Sequence, residues 1–323
     1  MRLLKIIMVL GVLSSCDNAP NNSSSNTSSP INPPISQPYL VILGTVQDAG
    51  SPHIACQKSC CKELFLNPDK SRKVVSLGLI DPENKKSYLF EATPDMPQQL
   101  KLLKEATAFG DKEVPDGIFL THAHIGHYTG LMYLGKEAMY ADNVPVFAMP
   151  KMRMFLEQNG PWSQLVNSEN ISIEEMTDMK EIELTSNLKV IPFTVPHRDE
   201  YSETVGFKII STEKSVLFIP DIDKWEKWEK SIIDELAKVD YAFVDATFYN
   251  GQEINNRNIS EVPHPAIVES MHLFKDLPAK EKSKVHFIHF NHTNPALLPE
   301  SDQSKLIVKN GFKIARMHDV IKL

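Results

Sequence analysis

The sequence predicts an α/β domain, layers of β-sheet covered by helices, with its functional groups gathered along one sheet edge. Three observations point to it. Short apolar runs rich in β-branched residues alternate with helical stretches through residues 39–323. Low complexity is confined to one segment ahead of them. Just past five of the apolar runs stands a metal-ligand or acid residue: His122, His197, Asp221, Asp245 and His289. Strand ends of one sheet lie side by side, so polar groups placed there can converge on one point outside the edge.

The first element is not part of that domain. Arg2 and Lys5 precede an apolar run that ends in Leu13-Ser14-Ser15-Cys16. This is the pattern of a secretory signal over residues 1–15, too short to span a bilayer. Its ending resembles the lipobox of bacterial lipoproteins, which implies lipidation at Cys16 and an exported protein held on a cell-envelope membrane. Residues 16–38, almost entirely Asn, Ser, Thr and Pro, have too little apolar surface to offset the entropy of ordering and read as a flexible tether. Residues 39–323 then form one folded unit. The whole chain's 42% hydrophobic and 23% charged content suits a globular core, and its net charge of −7 argues against nucleic acid as a partner. A small-molecule substrate is the expected ligand.

Strands are predicted at 39–45, 76–80, 87–92, 117–120, 189–195, 215–219, 241–244 and 285–288. Helices are predicted at 96–109, 128–139, 151–158, 223–238, 265–273 and 300–309. Between the strand ending at 120 and the helix at 128 lies Thr121-His122-Ala123-His124-Ile125-Gly126-His127. His122 and His124, two apart, share a face in extended backbone, and His127 enters the following turn. Neutral imidazole is the usual zinc ligand, and three protein ligands leave a place for water.

This segment resembles the H-x-H-x-D-H signature of the metallo-β-lactamase superfamily, with Gly126 where the family has Asp. His197 in Val195-Pro196-His197, Asp221 in Ile219-Pro220-Asp221 and His289 in Phe287-Ile288-His289 match the later motifs in order. The resemblance implies a four-layer αββα sandwich with its metal site at one edge of the two sheets. It further implies one ion on His122, His124 and His197, a second on His127 and His289, and Asp221 as a bridge. Residues 43–52 (Leu43-Gly44-Thr45-Val46-Gln47-Asp48-Ala49-Gly50-Ser51-Pro52), Asp245-Ala246-Thr247-Phe248, Val262-Pro263-His264-Pro265 and Thr293-Asn294-Pro295 are similar to the pyrroloquinoline quinone biosynthesis protein B branch.

Gly126 offers no ligand atom, so the expectation is one strong catalytic zinc and a weakened second site. His264 or His292 could replace the missing acid. His264 also resembles the helper histidine of phosphodiesterase relatives and is the candidate general acid, while Asp245 could orient a ligand histidine. Cys56, Cys60 and Cys61 with His53 could close a structural zinc site, as the related branch implies; an oxidising compartment would instead allow one disulfide. Trp225 and Trp228, three apart on the predicted helix, are expected to pack against the sheet rather than line a pocket. Arg198-Asp199-Glu200-Tyr201 should lie at the mouth of the site.

Three functions are compatible with these residues. The first is a metal-dependent hydrolase, in which a zinc-activated water attacks a phosphodiester or ester-type substrate, with Asp221 and His264 in catalytic roles. The second is a redox enzyme using iron at the same ligands. The third is a non-catalytic metal-binding lipoprotein.

Overall fold

The computed structural model describes residues 36–110, 112–254 and 258–323. The signal segment and all but the end of the tether lie outside the described residues. No helix among the described residues is long and apolar enough to cross a membrane.

Fourteen strands form two seven-stranded sheets among the described residues. They are β1 (Tyr39–Gly44), β2 (Ser76–Asp81), β3 (Lys86–Phe90), β4 (Gly117–Phe119), β5 (Val144–Ala148), β6 (Ile171–Glu175), β7 (Ile182–Thr185), β8 (Leu188–Thr194), β9 (Val205–Ser211), β10 (Ser215–Ile219), β11 (Tyr241–Asp245), β12 (Val285–Ile288), β13 (Lys313–Ile314) and β14 (Val320–Lys322). The first sheet runs β14-β1-β2-β3-β4-β5-β6 and the second β13-β12-β11-β10-β9-β8-β7.

Side-chain alternation explains how the layers stack. Along β1, Leu40 and Ile42 turn toward the second sheet, while Tyr39, Val41 and Leu43 turn toward helices. The inter-sheet core joins Phe90, Phe119, Phe207, Phe218 and Phe243, all fully buried. Each such ring contributes about 1.5–3 kcal/mol by leaving water. A helix-side core on the first sheet includes Leu103, Leu131 and Leu156; its counterpart on the second includes Leu236, Ile267 and Ile307. The result is the expected αββα sandwich. Both sheets and all three cores are built within residues 36–323.

Direction places the site. β3 and β4 are parallel, and β1 and β8 each reach a parallel partner across one antiparallel neighbour. β10, β11 and β12 are parallel to one another. The C-terminal ends of β1, β3 and β4 therefore share one end of the first sheet, and those of β8, β10, β11 and β12 share one end of the second.

Two predicted helices are corrected. The stretch 128–139 is one α-turn, Ile125–Tyr128, followed by a 3-10 segment, Thr129–Leu134. Gly130 permits the close approach of this segment to the loop after β3: a Cβ there would lie 2.2 Å from the Thr93 carbonyl oxygen. The stretch 223–238 splits into Trp225–Lys227 and Ile232–Ala237, the second capped by Ser231, whose side chain accepts from the Asp234 amide. Trp225 and Trp228 are buried in the helix-side core, with indole N–H groups donating to Ser270 Oγ (2.9 Å) and the Thr194 carbonyl (3.1 Å). They pack, as expected.

Candidate metal centre

Four groups of side chains have donor atoms within 4.8 Å of one another among the described residues, and three of them share Asp221. The first is His122, His124, His197 and Asp221. His122 follows β4, His197 follows β8 and Asp221 follows β10. His122 Nε2 lies 2.7 Å from His124 Nδ1 and 3.4 Å from Asp221 Oδ2, and His197 Nε2 lies 3.2 Å from the same oxygen. The far nitrogens are occupied, His122 Nδ1 by Thr121 Oγ1 at 2.9 Å and His124 Nε2 by Glu200 Oε2 at 3.3 Å. This orients the near ones inward.

The second group is Asp48, His127, Asp221 and His289. Asp48 Oδ1 stands 2.9 Å from His127 Nε2 and 3.1 Å from His289 Nε2. His289 is held in the left-handed backbone region, φ 66°, an arrangement found where surrounding structure over-determines a functional residue. Behind it runs a chain of hydrogen bonds. His289 Nδ1 contacts Thr247 Oγ1 at 2.8 Å, and that hydroxyl donates to Asp245 Oδ1 at 2.7 Å. With Thr247 donating onward, His289 carries a proton on Nδ1, which leaves Nε2, beside Asp48, as the nitrogen that can exchange its proton for an ion. His127 is backed by Glu91, whose Oε1 lies 3.2 Å from Nδ1; Glu91 is fully buried and itself has φ 76°.

Two sequence expectations change here. The acid missing at Gly126 is made up neither by His264 nor by His292 but by Asp48, so the second group keeps a full set of donors. His292 instead joins Cys56, Cys60 and Cys61 in a separate group. His53 is not the fourth member: its Nδ1 contacts the Ile54 carbonyl at 2.7 Å, and its ring packs on His292 at 4.4 Å between centroids. The three thiols are free, with Sγ atoms 4.0 Å (Cys56–Cys60) and 3.9 Å (Cys60–Cys61) apart, and no disulfide joins them.

The fourth group, Asp221, Asp245, His264 and His289, is built differently. Asp245 is saturated: Thr247 N and Oγ1 donate to Oδ1, while Ile222 N (3.2 Å) and His264 Nδ1 (2.8 Å) donate to Oδ2. Asp221 Oδ1 lies 3.1 Å from His264 Nδ1, but that proton points at Asp245, and Oδ1 has no hydrogen-bond partner. Asp245 therefore orients His264 rather than binding an ion.

Buried polar atoms without partners test whether the pocket suits a cation. Both ring nitrogens of His197 and Asp221 Oδ1 are such atoms, an arrangement costing about 1–3 kcal/mol per group if nothing else satisfied it. Their convergence with neutral imidazoles fits a divalent ion with nitrogen and oxygen donors. Without one the groups trade protons. Burial would raise the Asp221 carboxyl, yet the charges of His197 and His264 hold it well below the carboxylate range. Burial lowers His264, but Asp245 and Asp221 overcome this and push it up to about 10. Burial and the charge of His127 hold His122 well below its usual value, leaving it a neutral donor.

Asp48, Glu91 and Thr247 are residues that sequence reasoning did not assign to the site, whereas Glu200, expected at its mouth, contacts His124 there. Asp48 carried a usable signal, since it follows β1 just as the other acids and histidines follow their strands.

The chain belongs to the β-lactamase superfamily, whose domain model matches residues 86–288. The two sheets and the histidine motif place it among the metallo-β-lactamase folds. Within that class it is similar to coenzyme PQQ synthesis protein B of Bradyrhizobium diazoefficiens, 24% identical over 305 residues that cover 85% of this chain and 96% of that protein. A crystal structure of Zn2+-bound PqqB from Methylobacterium extorquens has a TM-score of 0.72 at 20% identity, covering 88% of this chain and all of the other. A diphosphatase of the PhnP family has a TM-score of 0.64 at 20% identity, covering 89% and 97%. These two structural likenesses concern the fold.

Proposed function

We propose that this protein is a metal-dependent hydrolase acting on a phosphodiester or related ester bond, with His122, His124, His197, Asp48, His127, His289 and Asp221 as ion ligands. A divalent ion bound there would supply Lewis acidity and lower the pKa of a coordinated water to about 7. Asp221, whose Oδ2 lies within 3.8 Å of His122, His127 and His197 nitrogens, ties the two groups together.

The observation that carries the hydrolytic reading is the Asp245–His264 pair. Asp245 fixes the Nδ1 proton of His264, leaving Nε2 to present its proton to a departing oxygen. The His264 side chain is 12% exposed where its neighbours are sealed, so it reaches the mouth of the site. A purely structural ion site needs no such acid. Structural zinc on Cys56, Cys60, Cys61 and His292 and a lipid anchor at Cys16 complete the reading; the anchor rests on the sequence pattern alone.

The test is ion identity followed by turnover. Protein purified with zinc should hydrolyse phosphodiester or ester substrates, and His264→Gln should retain its ions while losing turnover. Iron as the resident ion, with no hydrolysis across such a panel, would favour the redox reading suggested by the PQQ-synthesis relatives.

A further inference from the structure

The second ion group and the cysteine cluster are delivered by the same two chain segments. Residues 45–61 carry Asp48 and then Cys56, Cys60 and Cys61; residues 289–292 carry His289 and then His292. The segments are joined by backbone hydrogen bonds, Gln47 N to Phe290 O at 2.9 Å and Phe290 N to Thr45 O at 2.8 Å, just before Asp48 on one segment and between His289 and His292 on the other. The cysteine cluster thus closes one end of a clamp whose other end presents Asp48 and His289. None of His122, His124 and His197 belongs to either segment.

Gly126 shows why Asp48 took this place. A Cβ at residue 126 would fall 2.4 Å from Asp48 Cα and 2.7 Å from its Cβ. An acid side chain at 126 and Asp48 in its present position exclude each other. The carboxylate that the resemblance places on the turn holding His127 is supplied here from a loop without regular structure, where Gly50 at φ 77° turns the chain. Beyond Asp48, that loop is pinned by Arg72 Nη1 donating to Ser51 Oγ at 3.1 Å, by His53 N donating to Cys61 Sγ at 3.3 Å and by the cysteines themselves.

We infer that an ion held by Cys56, Cys60, Cys61 and His292 sets the affinity of the second edge ion by fixing Asp48 and His289, while the ion on His122, His124 and His197 is independent of it. This rests on the proposed reading of the edge as an ion centre. Outer groups that orient ligands change ion affinity by about 10–100-fold, and the same range is expected here.

The experiment measures zinc stoichiometry and chelator competition on the folded, loaded protein. Wild type should hold three ions. Cys60→Ser should lose the cysteine ion and release the second edge ion about 10–100-fold more readily, with the third unchanged. Cobalt loading separates the sites, because thiolate charge-transfer bands report the cysteines alone. If Cys60→Ser does not fold, a thiol-selective mercurial on wild type removes the same ion and should produce the same release. Moving the acid back with Asp48→Gly and Gly126→Asp together should weaken this dependence. Three ions in wild type but no change in second-ion affinity when the cysteine ion is lost would overturn the coupling alone. Wild type holding only the cysteine ion would overturn the edge reading and the coupling together.

Discussion

The two halves of the edge site are assembled in opposite ways. His122 and His124 stand two residues apart on one strand end, so half of the first group is written as a local motif. In the second group, Asp48 and His289 are separated by 241 residues and meet only because β1 and β12 end at the same edge. A site written locally depends on a few backbone angles; a site assembled from distant loops depends on whatever holds those loops.

The largest expected effect would break the bridge between the halves. Asp221→Ala removes the one carboxylate common to both groups and leaves buried imidazoles facing each other. It should lower ion content at both edge positions and reduce hydrolysis to background, as checked by elemental analysis and turnover. Retention of both edge ions would contradict the assignment.

Asp48→Ala sharpens the comparison, because it should strip the second ion while the first remains, measurable as the loss of one equivalent of zinc. Equal loss from both groups would mean that they are not separable. His264→Gln is smaller and different in kind: a fall in kcat of about 10²–10⁴-fold with unchanged ion content. A rise in KM alone would make His264 a binding residue.

The smallest effect concerns the metal-free protein. Burial opposes protonation of His264 and His289, but their acidic partners hold them up to about 10 and about 9. Both lie above the ordinary histidine value of about 6.5, so their stabilising contribution is complete below that pH and is lost as pH rises through the folded values. The urea midpoint of metal-free protein should therefore fall between pH 6.5 and pH 10. Zinc, which replaces the proton on His289, should flatten that slope. A midpoint that rises over this range would contradict the assigned pairings.

Much of this was legible in the sequence. The αββα sandwich was implied by the family resemblance that the order of motifs carries, and His122, His124, His127, His197, Asp221 and His289 do gather at one sheet edge. Asp245 was expected to orient a ligand histidine, and its carboxylate reaches His289 through Thr247 while also holding His264. Asp48 was not found because a signature is read by position along the chain, whereas a ligand is defined by position in space. Only the Gly126 Cβ vector, aimed at Asp48, reveals that one residue has taken over the space of the other. His292 was missed as the cysteines' partner for the same reason, since His53 was near in sequence. The 3-10 path of Thr129–Leu134 was hidden because the close approach of Gly130 to the Thr93 carbonyl is a tertiary contact that apolar periodicity does not report.

The most direct measurement is zinc content per chain of the purified protein beside His122→Ala and Asp48→Ala. Two edge ions plus one cysteine ion in wild type, with each variant losing a different edge ion, is the predicted result. A wild-type protein holding no ion at the edge, or two variants that lose the same one, would contradict the account.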